Sequence, residues 1–324
     1  MKIKKVLIIS FGSIGRRHFK VIKKLRPEIE INLLRRKISH NKSKEEVLAN
    51  KIFTNIKDAI KYGADAAIVA SPAKFHIEHS IEILNANIPL FIEKPISDSL
   101  KNSLEFKKLA KKKNNLVLVG YVLRHSKIIN EFKRLINENH IGEKLYAELK
   151  CGSYLPNWRK NIDYRESVSS QSSLGGGVLL ELSHEIDYAN WLFGPFHKVK
   201  SIYTNTQQLR IDVEDIAKII AINNQNFLLQ IHLDFCSNSK ERFCKLFGTL
   251  GFINLDFMKK SIIIKKNNCE KSTKIKVEEN YDDMYMNQMR HFFSCIENNV
   301  KPFVTIDDAI ETLSLISLCN GSKL

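Results

Sequence analysis

Near its start, the chain passes from a strand of buried type through a glycine turn into a helix, and this limits the folds available to it. Residues 6–9 form a continuous apolar run, which is typical of a parallel strand covered on both faces. The run continues into Ser10-Phe11-Gly12-Ser13-Ile14-Gly15, after which apolar residues recur at helical spacing. Relative to the pattern G-x-G-x-x-G, Ser10 takes the first glycine position, while Gly12 and Gly15 keep the other two. In that pattern the glycines let the backbone approach a pyrophosphate and let the helix pack on the strand, so the turn predicts a dinucleotide site. The predicted contacts are Phe11, Gly12, Ser13, Ile14 and Gly15.

Strand and helix patterns alternate through the first 122 residues. The apolar runs predict strands at 6–9, 29–34, 66–69, 90–92 and 116–119. The helical spacings predict helices at 14–25, 44–50, 76–86 and 99–112. Alternation of this kind predicts an α/β fold with a doubly wound parallel sheet, a Rossmann domain over residues 1–122.

Beyond residue 140 the pattern changes to short strands without intervening helices. The strand candidates are 144–150, 199–203, 216–222, 227–234, 243–247, 252–255 and 262–265. We expect helices at 179–192, 284–298 and 307–319 to pack on one face of the resulting sheet. The pattern predicts a second domain over residues 123–324, of α+β type, with an open and mostly antiparallel sheet.

Composition excludes several classes of protein. Of the 324 residues, 44% are hydrophobic and 27% charged, which is ordinary for a globular chain. No apolar run is long enough for a membrane helix and no export signal is evident, so we expect a cytoplasmic protein with no membrane partner. The six cysteines form no C-x-x-C pair and predict neither a disulfide framework nor a metal site. The net charge of +16 comes without a nucleic-acid-binding motif, so we expect no nucleic-acid partner, although the charge can favour an anionic substrate.

The end of the second predicted strand bears on the choice of cofactor. An acidic residue there would bind the ribose hydroxyls of NAD. The strand over 29–34 ends instead in Arg35-Arg36-Lys37, and forked guanidinium donors suit a 2′-phosphate. Arg35 and Arg36 therefore favour NADP over NAD, the alternative being a solvated strand end in a lysine-rich chain.

The strand over 90–92 delivers Glu93-Lys94-Pro95 to the edge of the sheet where α/β proteins bind ligands. An ammonium group at Lys94 can donate to a substrate oxygen and, when partly desolvated, can titrate near working pH. By position alone, a surface lysine before a proline is an equal alternative.

Several motifs in a fixed order resemble one known family. They are the glycine turn, Ser71-Pro72 with His76, Glu93-Lys94-Pro95, Gly120-Tyr121 with Arg124, and Gly175-Gly176-Gly177 leading to His184-x-x-Asp187. Together they resemble the Gfo/Idh/MocA oxidoreductases, the family of glucose–fructose oxidoreductase and inositol dehydrogenase, over nearly the whole chain. The stretch 154–158 with 163–165 is similar to a subgroup associated with bacterial surface-sugar biosynthesis.

The resemblance implies NAD(P)-dependent hydride transfer at a sugar-type carbon. It also implies that Lys94 is catalytic, with a cis peptide bond to the proline, and that His184 transfers the proton. Further cofactor contacts expected near the turn are Ser71, Pro72, His76, Glu93 and Lys94. Aromatic rings and forked donors suit a sugar ring and its anionic groups, although a loop with ordinary packing is an equal alternative. The residues expected to contact substrate are Tyr121, Arg124, Trp158, Arg159, Tyr164, Arg165 and His184.

The residues around His184 are the candidates for the proton transfer that accompanies hydride transfer. After the three glycines, helical spacing brings Glu181, His184 and either Asp187 or Tyr188 to one face. An imidazole there can accept a hydroxyl proton near neutral pH, and a neighbouring carboxylate can orient it. The alternative is a structural histidine. Family members often carry G-G-G-x-x-x-D-x-G-x-H; here one residue is missing and Glu181 stands three before the histidine, so the role of Glu181 stays open.

The sequence therefore predicts an NAD(P)-dependent dehydrogenase or reductase acting on a sugar, a sugar acid or a nucleotide sugar. Two alternatives remain: a lyase or epimerase that keeps and recycles its NAD(P), and a non-catalytic dinucleotide sensor. The resemblance also implies a homo-oligomer, a dimer or tetramer formed through the open sheet.

Overall fold

The computed structural model describes residues 2–37, 43–159 and 162–320. It divides into two compact units. The first comprises Met1–Val122 with Tyr281–Ile310, and the second comprises Leu123–Asn280 with Glu311–Leu324.

The first unit is built on a sheet of six parallel strands in the order β3-β2-β1-β4-β5-β6. The strands are β1 Lys5–Ile9, β2 Glu30–Leu34, β3 Lys51–Phe53, β4 Ala66–Val69, β5 Leu90–Ile92 and β6 Val117–Val119. The central side chains of β1, β4 and β5 are fully buried, as expected for strands covered on both faces. The predicted doubly wound sheet is confirmed, and its strand order reverses between β1 and β4, where such folds bind ligands.

Most helices of this unit begin and end close to the predicted positions. They are α1 Ser13–Leu25, α2 Lys44–Val47, α3 Ile56–Tyr62, α4 His76–Asn85 and α5 Leu100–Lys113. The helix predicted over 44–50 is shorter than expected, because the chain leaves α2 and enters β3. We did not predict β3 or α3, since three strand residues and seven helical residues show too little periodicity to be recognised.

The second unit contains a sheet of eight strands in the order β14-β13-β12-β11-β7-β10-β9-β8. The strands are β7 Lys144–Gly152, β8 Phe196–Thr204, β9 Ile216–Asn223, β10 Leu228–Asp234, β11 Glu241–Gly248, β12 Gly251–Asp256, β13 Ser261–Lys266 and β14 Thr273–Lys276. Every neighbouring pair is antiparallel except β7 with β10. The predicted mostly antiparallel sheet is confirmed, and β14 is an additional edge strand.

Helices cover one face of this sheet. They are α6 Lys127–Asn137, α7 Val178–Glu181, α8 Ser183–Phe193 and the second part of α10 Ile306–Asn320. On that face the alternate residues Leu149, Ile231 and Leu246 are buried. On the opposite face, Ile202 is 66% and Ile220 is 50% exposed. Within the described residues of the unit this face is uncovered, and the exposed Lys200 and Lys218 lie on it beside the two isoleucines.

Two expectations about helices are corrected by the structure. The helix predicted over 284–298 is α9, Tyr281–Glu297, and it belongs to the first unit rather than to the unit that contains the antiparallel sheet. It lies in the first unit against α1, where Arg26 donates to Glu297 at 2.6 Å. The single helix predicted over 179–192 is two helices, because the backbone of Leu182 departs from helical geometry between α7 and α8.

No helix within the described residues is long and apolar enough to cross a membrane.

Candidate active site

The glycine turn after β1 has the geometry that a dinucleotide requires. Ser10 adopts the left-handed conformation, with φ of 70°, and so replaces the first glycine of the pattern. A Cβ atom on Gly15 would lie 2.5 Å from the carbonyl oxygen of Ser10, so α1 approaches β1 closely only because residue 15 is glycine. A Cβ atom on Gly12 would meet nothing within 4 Å, which leaves open space before the first turn of α1. Gly12 is the N-cap residue and provides no side chain, so the first backbone N–H groups of a thirteen-residue helix face this space. The turn therefore fits a pyrophosphate.

The side chains of the turn are divided between the core and the surface. Phe11 is buried and its ring packs edge-on against Phe19, with centroids 5.9 Å apart. Ser13 is exposed and Ile14 is half-buried. Phe11 therefore anchors the turn, and Gly12 and Ser13 present backbone to the open space.

The Glu93-Lys94-Pro95 segment is held by a buried pair of side chains. The Oε1 atom of Glu93 lies 2.6 Å from Nε2 of His18 on α1, and both side chains are nearly inaccessible. The Oε2 atom of Glu93 accepts a hydrogen bond from the backbone N–H of Lys94 at 3.1 Å. The Lys94–Pro95 bond is cis, as the resemblance implies. We infer that Glu93 positions the backbone of Lys94 rather than presenting its carboxylate to solvent.

His18 is a residue that our sequence analysis missed. Its ring also packs against Phe91, with centroids 5.0 Å apart. The available signal was a histidine on the apolar face of α1, next to Phe19, where a polar group needs a buried partner. The sequence does not show that this partner is Glu93.

His76 connects two loops at the same edge of the sheet. Its ring nitrogens lie 2.8 Å from the carbonyl oxygen of Pro95 and 2.6 Å from that of Ser71. Burial lowers the pKa of His76, and the two carbonyl acceptors oppose that shift because both contacts need a ring N–H. The hydroxyl of Ser71 lies 3.0 Å from Nδ1 of His79, whose pKa is also lowered by burial. His76 therefore connects the loop after β4 with the loop that carries Lys94, through its contacts with the two carbonyl oxygens.

These segments share one edge of the first unit. Because β1, β4 and β5 are parallel neighbours, their carboxyl ends lie side by side. The glycine turn follows β1 directly, and Ser71 and Lys94 each stand two residues beyond the end of β4 and β5. The structure therefore brings the predicted cofactor residues of this unit together.

Arg35 follows β2 at the same edge and forms an ion pair with Glu46 of α2, while Arg36 is exposed. Tyr121, after β6, is fully buried.

In the second unit, the three-glycine turn starts the segment that carries His184. Gly177 has a φ of 105°, and a Cβ atom there would lie 2.4 Å from the carboxylate of Glu214. That carboxylate accepts a hydrogen bond from the backbone N–H of Leu179, at the start of α7. Burial raises the pKa of Glu214. Glycine at 177 lets this carboxylate approach the helix start and fix the course of the turn.

His184 lies in the first turn of α8 and is half-buried. Glu181 is at the end of α7, on the other side of the break at Leu182, and is also half-buried. The three-residue spacing between Glu181 and His184 therefore does not span a continuous helix.

Asp187 and Arg124 form a buried ion pair. Arg124 donates from Nε to Oδ2 of Asp187 at 3.0 Å and from Nη2 to Oδ1 at 2.8 Å. Arg124 is 2% exposed and Asp187 is fully buried. Thr312 of α10 contributes a longer contact to the same carboxylate, at 3.4 Å. This bidentate geometry links α8 to the segment before α6.

In the described parts of the loop before the three glycines, residues 153–159 and 162–170, several polar side chains bond within their own unit. Trp158 donates from Nε1 to the Ser153 hydroxyl at 2.7 Å, and the Tyr164 hydroxyl donates to the carbonyl of Leu209 at 2.9 Å. Arg165 pairs with Asp163, and its hydrogen bonds lower the pKa of that carboxyl. Trp158, Arg159 and Tyr164 line a cavity of about 10 Å³, which is water-sized. These contacts favour a packed loop, and the predicted substrate contacts of its residues stay predictions.

Comparison with protein-family models matches both halves of the chain. Residues 4–121 match the model of an oxidoreductase family with an NAD-binding Rossmann fold, and residues 133–323 match the C-terminal alpha/beta domain of the same family.

Curated relatives are distant in sequence. Glucose-6-phosphate 3-dehydrogenase of Bacillus subtilis is 24% identical over 241 residues, which cover 72% of this chain and 68% of the relative. Inositol 2-dehydrogenase of Corynebacterium glutamicum is 28% identical over 152 residues, 46% of this chain and 42% of the relative. The second alignment thus spans less than half of the relative's length.

Solved structures share the fold over nearly the full chain. Levoglucosan dehydrogenase, in complex with NADH and L-sorbose, has a TM-score of 0.87 at 15% identity, covering 99% of this chain and 97% of that one. The WlbA dehydrogenase from Bordetella pertussis, in complex with NADH and UDP-GlcNAcA, has a TM-score of 0.82 at 17% identity, covering 99% and 96%.

Proposed function

The chain belongs to the Gfo/Idh/MocA oxidoreductase family, and from this premise we propose that it transfers hydride between a nicotinamide cofactor and a carbinol or carbonyl carbon of a sugar-type substrate. The observation that carries the proposal is that one sheet edge of the first unit holds both the glycine turn and Lys94. The names of the relatives and fold neighbours, which act on or bind sugars, inositol or a nucleotide sugar, support this substrate class.

In this proposal the first domain, residues 1–122, binds the dinucleotide. The backbone N–H groups at Gly12 and Ser13 hold the pyrophosphate, where the turn leaves open space. Arg35 and Arg36 favour NADP over NAD, because a guanidinium group suits the 2′-phosphate. The bound nicotinamide supplies the hydride acceptor in oxidation and the hydride donor in reduction.

The domain over residues 123–324 contributes the proton-transfer group. In the oxidation direction, His184 accepts the substrate hydroxyl proton while the carbinol C–H electron pair leaves with the hydride. Lys94 donates a hydrogen bond to a substrate oxygen and stabilises the negative charge that develops there. The support for these two roles is family membership together with the place of each residue within its own unit. In this proposal Asp187 acts by holding α8, which carries His184, through its ion pair with Arg124, and Glu181 is the carboxylate that orients the imidazole.

An absorbance screen tests the function. The purified chain is mixed with NADP or NAD and with inositols, uronic acids, free sugars or nucleotide-linked sugars, and the formation of reduced nicotinamide is followed. We expect turnover with at least one sugar-type alcohol, and a decrease in kcat of about 10²–10⁴-fold in Lys94→Ala and in His184→Asn. Lys101→Ala, an exposed lysine on α5, is the matched control and should leave kcat unchanged.

Three outcomes contradict the proposal. Product formation without net change in reduced nicotinamide indicates the lyase or epimerase with a recycled cofactor. Dinucleotide binding without turnover, together with unchanged biological activity of Lys94→Ala, indicates the sensor. Wild-type turnover rates in both Lys94→Ala and His184→Asn exclude the assigned chemistry.

A further inference from the structure

The ion pair between Arg35 and Glu46 lies where the adenosine end of the cofactor is expected to bind. Arg35 directly follows β2, and its backbone N–H donates to the carbonyl of Phe53 at 2.9 Å, so the residue is held at the sheet. Its guanidinium Nη1 contacts Oε1 of Glu46, and the two side chains are 25% and 5% exposed. Arg35 is therefore a partly buried cation that already has an anionic partner.

The carboxylate of Glu46 is fixed by the start of α2. Its Oε2 atom accepts a hydrogen bond from the backbone N–H of Ser43 at 2.8 Å, and the Ser43 hydroxyl accepts one from the backbone N–H of Glu46 at 3.4 Å. This reciprocal arrangement is a capping box. One carboxylate oxygen thus serves the helix cap while the other binds Arg35, so the position of Glu46 does not depend on a bound ligand.

A second carboxylate of α2 neutralises another cation nearby. Lys20 of α1 forms an ion pair with Glu45, with Nζ 2.8 Å from Oε1, and the hydrogen bond that Lys20 donates lowers the pKa of Glu45. The first turn of α2 therefore places two consecutive carboxylates against Arg35, which follows β2, and Lys20 of α1. The attraction that Arg35 would exert on a 2′-phosphate is opposed by the negative charge of Glu46.

We infer that Glu46 is a specificity-determining residue, which limits the preference for NADP over NAD by neutralising Arg35. The inference rests on the proposed function, since it assigns a role to Glu46 in the cofactor selectivity of that same site. Glu46→Gln keeps one acceptor oxygen, which can still accept from the backbone N–H of Ser43, and it removes both the charge and the second acceptor that binds Arg35. Without the competing carboxylate, the guanidinium of Arg35 attracts the 2′-phosphate of NADPH more strongly, so the affinity for NADPH rises. NADH carries no 2′-phosphate, so its affinity does not change.

Equilibrium binding of NADPH and NADH tests this without relying on turnover. The dissociation constants are measured by fluorescence titration of the wild type, Glu46→Gln, and the double variant Arg35→Ala/Glu46→Gln. We expect Glu46→Gln to bind NADPH about 10-fold more tightly while its NADH affinity stays unchanged. The gain should disappear in the double variant, because it acts through Arg35. Glu45→Gln, one residue away, is the charge-matched control and should show no comparable gain.

The single variant Arg35→Ala provides an independent measurement should Glu46→Gln not fold. It leaves the carboxylate of Glu46 uncompensated and should weaken NADPH about 10-fold relative to NADH. An unchanged ratio of the two dissociation constants in Glu46→Gln, or an equal gain in Glu45→Gln, overturns the inference while leaving the proposed function intact. Absence of binding of either dinucleotide to the wild type refutes the proposed function itself, and the inference with it.

Discussion

Replacing Asp187 by asparagine tests whether the buried pair with Arg124 is structural. The bidentate contacts of 3.0 Å and 2.8 Å join two side chains that are almost inaccessible. Asparagine keeps one acceptor but leaves the guanidinium as an uncompensated buried charge, which costs about 3–5 kcal/mol. For a domain of this size about 1 kcal/mol lowers Tm by about 2–4 °C, so we expect Tm to decrease by about 6–20 °C.

Thermal unfolding followed by circular dichroism, with urea unfolding beside it, measures this effect. The double variant Arg124→Leu/Asp187→Leu removes both charges and should recover most of the lost stability, because apolar side chains then fill the buried site. The exposed pair of Arg165 with Asp163 supplies the control: Asp163→Asn should leave Tm unchanged, since exposed pairs contribute little.

The opposite pattern would refute this reasoning. If Asp187→Asn kept the wild-type Tm but lost kcat by orders of magnitude, Asp187 would act in the reaction rather than in packing. The catalytic assignment made from the sequence would then hold, and the stability of α8 would need another source.

Three further predictions concern other parts of the chain. Gly15→Ala places a Cβ atom against the Ser10 carbonyl, so we expect a loss of roughly 1–3 kcal/mol in unfolding free energy and weaker NADH binding by titration. Arg26 lowers the pKa of Glu297 to about 2 by hydrogen bonding, so the pair stabilises the fold above the ordinary carboxyl pKa near 4.5 and loses this effect as the pH falls through about 2. The Tm difference between wild type and Glu297→Gln should therefore be present at neutral pH and vanish near pH 2; a constant difference contradicts the assignment. We propose that the uncovered sheet face forms the homo-oligomer, so Ile220→Lys should shift the mass measured by light scattering to that of the monomer, and an unchanged mass excludes this surface.

Much of the Rossmann unit was predictable from short-range pattern. Five of its six strands and the helices α1, α4 and α5 lie close to the predicted ranges, because each has enough apolar residues at regular spacing. The elements β3 and α3 escaped notice because they are short. The strands of the second sheet were also recognisable, although their order and the parallel pairing of β7 with β10 depend on topology rather than on local sequence.

The residues of the candidate site also differ in whether local sequence could identify them. Local sequence identified the glycine turn and the position of Lys94 after a buried strand, since both depend on a few adjacent residues. It did not identify the partner of any charged residue. His18 and Glu93 are 75 residues apart, and Arg124 and Asp187 are 63 apart, so nothing in the neighbourhood of either residue specifies the other.

Local sequence is enough to predict most of the strands and helices and the place where backbone can approach a phosphate, because these properties follow from side-chain periodicity and from the steric freedom of glycine. Only the tertiary structure decided that α9 packs on α1, that Glu46 neutralises Arg35, and that Asp187 is occupied by Arg124. The physical reason is that a buried charge must find a counter-charge, and which one it finds depends on how distant segments are brought together when the chain folds.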